Sequence, residues 1–530
     1  MVWGRRDGSV LPPTPVAAGD GLLAVVRVTV GEAGAGRWEA LNRLVEVLLE
    51  VDAMRDEVVA RSALAMVAAV PGLALRLDRH VRSTPCHGEY REPALLRAVA
   101  RFTGVSSGPV VTVLASMDGD GWIRERAVAA MVGRPVAEVM PFLVVRTADW
   151  VRPVRDRARA GLAVLLADDP AAYLPAVLPM TLRLDARLRA SFALTQVRAA
   201  VMSAPEQVWR GVLDSGGRRE RRFVVDIVLA QGWLRLPDLV TLAESDPDVW
   251  VRARAAEAAC REAVWTRRHD VLQRLARSAR AEVRVVALTG LVRVGRDSDA
   301  AGYLDDGAPL VRAVARDAAR RLGIDVRAHY RTAVAAGEPA LGAIAGLAET
   351  GSAADAPLLR RLLGHELARV RAQAVRGLRL LDAVGVGEAV ALVRDPSPQV
   401  VREVALALRP LVGALPSGLP WELLADGRVE LRRAGYRLLR GQGVEVELRA
   451  ALILAVDADL RLATRGKADA TRIARDATRA AWRYAPRPEL HVTKMEHAEL
   501  VALTAQAAAA LGDETSQQLA AWFASSRSDE

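Results

Sequence analysis

The stretch that decides the fold runs from Asp246 to Ala255 and reads Asp-Pro-Asp-Val-Trp-Val-Arg-Ala-Arg-Ala. A turn-forming Asp-Pro leads into an apolar residue, an arginine, and an alanine three residues after the arginine. The same phrase returns as Ile123-Arg124 with Ala127, Val154-Arg155 with Ala158, Val283-Arg284 with Ala287 and Val311-Arg312 with Ala315. It recurs again as Val370-Arg371 with Ala374, Val401-Arg402 with Ala405, and Leu431-Arg432 with Gly435. Neighbouring copies step by 28 to 32 residues, and the two wider gaps, 97 and 59 residues, hold about three and two periods. A fixed period near 30 residues signals stacked supersecondary units, none of which can bury its apolar face alone.

The clearest unit spans Asp355 to Leu381. Leu358, Leu359, Leu362 and Leu363 form the stripe of a first helix that Gly364 closes. Val370, Ala374, Gly377 and Leu378 then fall at i, i+4, i+7 and i+8, the inner stripe of a second helix. Small residues in mid-stripe let two helices approach closely. Gly295, Gly323, Gly351, Gly413 and Gly443 follow second helices, where a left-handed cap favours glycine. Asp248 and Ser397 stand as N-caps, the latter before Pro398 at the first helical position. Between Val311 and Val370 the segment Pro339 to Leu347 fills the missing slot, and degenerate units near Leu188 and Arg222 fill the other gap.

The Asp-Pro-x-Val pattern followed by Val-Arg-x-x-Ala, as over 246–255 and 395–405, resembles HEAT repeats of the short bacterial type, which also occur in phycobilin-lyase-like proteins. The resemblance covers about 110–445. It implies an all-α, right-handed α-solenoid of about a dozen helical hairpins that presents surfaces to partners. Residues 1–36 read as an irregular leader with three prolines, in which Leu22 to Val30 is a short strand or extended arm. Degenerate helical repeats are expected over 37–108, the HEAT-like array over 109–445, and a helical capping region with a polar tail over 446–530. In that last region the helices are expected at Ala450 to Leu462, Ala468 to Tyr484 and Glu496 to Leu511, with Gly466 as a break.

Composition agrees and narrows the function classes. Hydrophobic residues make up 51% of the 530 residues but aromatics only 4%, so the core must be Ala, Leu and Val, as closely packed helices prefer. Cys86 and Cys260 are the only cysteines, so no disulfide framework is implied and a cytoplasmic setting is expected. No apolar run reaches membrane-spanning length, and Arg5-Arg6 precedes Asp7 and prolines rather than an export signal's apolar region. The net charge is +10, and only Lys467 and Lys494 among 73 basic residues are lysine, a bias that fits a GC-rich coding background.

The recurring arginine has two readings: a column that tracks phosphates, or a ladder bonding acidic residues and loop carbonyls between repeats. Its place beside a buried valine favours the ladder. Arg218, Arg219, Arg221 and Arg222, offset only by Glu220, form the candidate partner surface, with further doublets at Arg267-Arg268, Arg320-Arg321, Arg360-Arg361 and Arg432-Arg433. Trp122, Trp150 and Trp250 at second-helix starts are aromatic candidates, though filling gaps between Ala-rich helices is the readier expectation.

No catalytic, metal-ligating or cofactor-binding constellation stands out. Cys86-His87 has no second Cys/His pair, and His491, Glu496 and His497 lack zinc-peptidase spacing. Asp118-Gly-Asp-Gly121 has Ala129 where a calcium loop needs glutamate. The sequence therefore favours a non-catalytic scaffold for a protein partner. Nucleic-acid binding, in the manner of the HEAT-like DNA glycosylases, is the alternative, and chromophore lyase chemistry is a third.

Overall fold

The period of the sequence reappears as a period of helices. A computed structural model describes residues 15–83, 100–184, 189–479, 490 and 492–525, and every element among them is helical. The chain divides into two compact units, Met1–Ala259 and Cys260–Glu530. In the second unit, Ala281–Arg293, Pro309–Arg321, Leu341–Thr350, Ala368–Leu380, Pro398–Leu408 and Val429–Leu439 are the second helices of successive pairs. Each packs on the first helix of its own pair and on its immediate neighbours within this series. In the first unit, Gly121–Gly133, Arg152–Asp168, Ser191–Ser203 and Arg218–Gln231 repeat the arrangement. The chain is thus an all-α array of HEAT-like helical pairs. No single described helix is long and apolar enough to cross a membrane.

The phrase acts at the contact between pairs. Its apolar lead (Val154, Val251, Val283, Val311) and the alanine three residues after its arginine (Ala158, Ala255, Ala287, Ala315) are fully buried. The arginine is an anchor. Arg124, Arg155, Arg252, Arg284, Arg312, Arg371 and Arg432 each donate through Nη1 to the carbonyl six residues earlier, at 2.7–3.1 Å. That carbonyl belongs to the turn opening the arginine's own helix, one of the groups a helix end leaves unsatisfied. The rest of the guanidinium reaches the next repeat: Arg124 to Asp149, Arg284 to Asp306, Arg371 to Asp395 and Arg432 to Asp457, at 2.7–3.2 Å. Each of these aspartates also accepts the amide two residues on, shaping the next turn. Turn, helix and neighbour are fastened by one side chain.

The phrase at Val401-Arg402 is off by one. Six residues after Asp395 stands Val401, so Val400 and Val401 are both buried and the Arg402 side chain is 69% exposed, with Glu403 the nearest carboxylate at 4.0 Å. Arg428 of the following repeat replaces it, donating to the carbonyls of Arg394, Asp395 and Pro396. Asp395, rather than Ser397, forms the side-chain bond at that turn.

Other expectations change as well. Residues from Pro15 to Gly34 form a helix rather than an irregular leader or a strand. Val26, Val30 and Ala33 at i, i+4 and i+7 are buried against the following helices. Burial of that stripe overrides both the β-branched composition and the glycines. Residues 84–99 of the degenerate repeats expected over 37–108, and Cys86 with them, lie outside the described residues. Gly295 and Gly323 take left-handed caps, but Gly351 and Gly413 do not, and Gly232 is a cap the pattern missed.

The C-terminal helices run Val444–Ala455, Leu460–Arg479, Lys494–Leu511 and Asp513–Ser525. Gly466, expected as a break, sits inside the second of them. A Cβ there would lie 2.5 Å from the Ala455 nitrogen and 2.7 Å from the Ala451 oxygen, so the glycine is a point of helix contact. Gly435 serves likewise against Leu424 and Pro420.

Two expected outcomes follow from these contacts. Gly466→Ala meets rigid backbone and should lower unfolding free energy by about 1–3 kcal/mol, whereas Gly387→Ala, in open space within a helix, should raise it by about 0.5–1 kcal/mol. Asp149 accepts from the fully buried Arg124 and Arg146. Burial would raise its carboxyl pKa, but Arg146, the Val151 amide and Arg124 outweigh burial and hold it below the ordinary range. Asp149→Asn leaves two buried cations short of a counter-charge and should cost about 3–5 kcal/mol, against under about 0.5 kcal/mol for Arg402→Ala. Urea unfolding of the four variants measures both contrasts.

Candidate functional site

A groove of about 1310 Å³ lies in the 1–259 unit. Its walls come from first helices: Ala65, Ala68 and Ala69 of Glu57–Ala69, Pro175, Ala176 and Pro179 of Pro170–Leu184, and Val208, Gly211 and Val212 of Glu206–Ser215. These are small apolar residues, so the groove is wide and shallowly lined.

Two local features give it polarity. Pro175 and Pro179 stand inside their helix, so the carbonyls of Ala171 and Pro175, four residues earlier, lack the amide that a regular α-helix would direct at them. Ala171 and Pro175 both line the groove. At the other wall Gly216 and Gly217 form a short extended link between two helices; a Cβ on Gly217 would lie against the Glu220 carboxylate. The link is followed by Arg218 and Arg219, which line the groove together with Arg183. Glu138 is held by Arg61 at 2.9 Å, whereas Arg183 and Arg219 make no ion pair or hydrogen bond among the described residues.

The sequence-named arginines therefore divide. Arg222 occupies the anchoring slot of its degenerate repeat, gripping Asp248 at 3.0 Å through two nitrogens, and Arg218 adds a bond of 2.6 Å. Arg221 pairs with Asp246. Arg219 alone of the four is exposed and unpaired among the described residues. The doublets elsewhere are tied locally: Arg268 to Asp270, Arg321 to Asp317 and Arg360 to Glu388, at 2.7–3.0 Å.

The tryptophans do not fill gaps as expected. Trp122, at the start of Gly121–Gly133, is 78% exposed, and Trp150, in the bend before Arg152–Asp168, is 65% exposed. The Arg124 guanidinium lies 5.7 Å from the Trp150 ring, and the half-buried Trp250 ring has Arg222 at 5.6 Å and Arg254 at 5.9 Å.

Residues once weighed for chemistry serve structure. Asp118 and Asp120 accept the amides of Asp120 and Trp122 in a turn. Cys260 is buried, which pushes its thiol up to about 12 and leaves it unreactive at neutral pH. No group of three or more His, Cys, Asp or Glu among the described residues could hold a metal. Arg183 and the freed carbonyls were not singled out from the sequence, although two prolines four residues apart in an apolar helix carry the signal.

No family model matches the chain, and no curated protein matches it. Among solved structures it is similar to yeast importin-β (Kap95p), at 11% identity and TM-score 0.34, over 92% of this chain and 74% of that one. It is also similar to the Kap95:Nup1 complex (12%, TM-score 0.36, 92% and 74%) and to Kap121p bound to Pho4p (13%, TM-score 0.26, 82% and 54%). The chain spans about half the length of Kap121p.

The anchoring aspartates set an acid limit. Asp248 is pushed up by burial but brought down to about 2 by Arg222, the Val251 amide, Arg218 and the Trp250 amide. Asp355 likewise reaches about 2 against burial, through Arg327, Arg331 and the Ser352 amide. With ordinary values of 3.8, both contribute stability that is complete above about pH 4 and withdrawn as pH falls toward 2. Unfolding free energy should fall through that window, and Asp248→Asn should flatten the slope in a pH series of urea titrations.

Proposed function

We propose that the chain is a non-catalytic scaffold that takes a protein partner in the 1–259 groove, as an extended segment carrying an acidic residue. The observation that carries this is the pairing of two carbonyls that lack their regular helical donor, at Ala171 and Pro175, with the cations Arg183 and Arg219, unpaired among the described residues, around an apolar floor. A peptide main chain supplies amides to such carbonyls, a carboxylate supplies the counter-charge, and small apolar side chains fit an alanine-lined wall. A DNA backbone offers no donor for the carbonyls, and no aromatic residue lines the groove to stack a base.

Peptide-display selection on the full chain tests the proposal. Recovered peptides should carry Asp or Glu beside small apolar residues. Arg183→Glu with Arg219→Glu should weaken them at least about tenfold, or about 1.4 kcal/mol, and exchanging the peptide's acid for lysine should restore binding. Gly211→Trp projects into open space and should block the groove without loss of stability. Peptide binding unchanged by all three substitutions overturns the assignment. DNA or RNA binding that falls steeply with salt and depends on Arg183 and Arg219 would favour the nucleic-acid alternative.

A further inference from the structure

A second concavity, of about 350 Å³, lies in the 260–530 unit and is lined by Arg409, Arg433, Tyr436, Arg437, Arg440, Arg461, Leu462 and Arg465. Six of eight lining side chains are guanidinium groups. Their placement is a product of helix geometry. Arg433, Arg437 and Arg440 fall at i, i+4 and i+7 along Val429–Leu439 and its cap, and Arg461 and Arg465 at i and i+4 on Leu460–Arg479. Arg409 joins from the end of Pro398–Leu408.

Carboxylates satisfy only half of them. Arg465 bonds Asp469 at 2.7 Å, Arg433 reaches Asp459 at 3.4 Å, and Arg440 lies 3.6 Å from Asp469 and 3.8 Å from Glu447. The buried Arg440 Nε has no hydrogen-bond partner. Asp469 is further committed to the Tyr436 hydroxyl, which donates to it at 2.7 Å. Arg409, Arg437 and Arg461 make no ion pair or hydrogen bond among the described residues. Burial lowers the Arg437 pKa, and the neighbouring Arg402 and Arg409 lower it further, with only Glu403 opposing them. Three uncompensated cations around one concavity is an unfavourable arrangement for a free protein and a favourable one for a multiply charged anion.

We propose that this pocket binds a compact polyphosphate group, two or more linked phosphates of a small molecule, through Arg409, Arg437 and Arg461. Planar guanidinium forks match phosphate oxygens two at a time, and three of them exceed what one phosphate needs. The cluster surrounds a bounded pocket rather than forming a row, which suits a compact ligand over a polymer backbone.

The test is calorimetry on the full chain at low ionic strength, with inorganic pyrophosphate and tripolyphosphate as probes and orthophosphate for comparison. One saturable site is expected, filled more tightly by the polyphosphates. Arg437→Gln with Arg461→Gln should weaken it at least about tenfold, and Arg437→Lys should recover part of that loss. A structural role predicts that the double variant melts lower than the parent. Relief of like-charge repulsion predicts that without ligand it melts no lower, and that pyrophosphate raises the parent's melting temperature only. Absence of saturable binding, or binding undiminished in the double variant, overturns the proposal. Tighter binding of single-stranded oligonucleotides through the same arginines, strengthening with length, would overturn it in favour of nucleic acid.

Discussion

One guanidinium does the work on which the array depends. In each regular repeat the arginine after the buried valine closes its own turn through a carbonyl six residues back and grips a carboxylate of the next repeat. The geometry is demanding because the groups are buried. An unsatisfied turn carbonyl, a lone guanidinium and a lone carboxylate would each be costly, and together they cancel. The short residues around it follow from the same constraint: alanine three residues on, and glycine at contacts such as Gly435 and Gly466, let the helices close far enough for the bonds to form.

Where the bond cannot form as written, another arginine takes its place. The one-residue slip before Arg402 brings in Arg428 to cap the orphaned carbonyls from the far side. The repeat lacking the phrase between Val311 and Val370 has Arg312 reach Glu349 instead, supported by Arg316 at 2.5 Å, while Arg327 and Arg331 converge on Asp355. These substitutions keep the buried charges balanced in each repeat. The joint is therefore a constraint on charge and hydrogen bonding, which several sequences can meet.

That explains what the sequence disclosed and what it hid. The period, the helical pairs and the anchoring role of arginine were legible because each is local and repeated. The helix Pro15–Gly34 was not, since its valines and glycines argue against helix until the surface that buries Val26, Val30 and Ala33 is known. Gly466 looked like a stop because glycine marks both helix ends and helix contacts, and only the neighbouring backbone distinguishes them. Trp122 and Trp150 looked like core because tryptophan usually is; they stand instead at the exposed connections where second helices begin. The patch at Arg218 to Arg222 was located by density of charge, yet most of that density belongs to anchoring.

In a chain whose positive charge is almost all arginine, density of arginine is a poor guide to function, and the carboxylate map is the better one. An arginine with an aspartate about 22 to 26 residues ahead, at the start of the next repeat, is committed to the array. Among the cations that remain, two groups share a concavity. Arg183 and Arg219 border the groove whose prolines free two carbonyls, and Arg409, Arg437 and Arg461 share one pocket. Both places lie where the repeat is irregular: a helix with two internal prolines, and the repeats beside the slipped phrase. A regular joint uses up its anchoring arginine and aspartate within itself, so a modified joint is where the charges of the joint itself become open to rearrangement. The irregular repeats are thus the positions where the array's own physics permits a binding site.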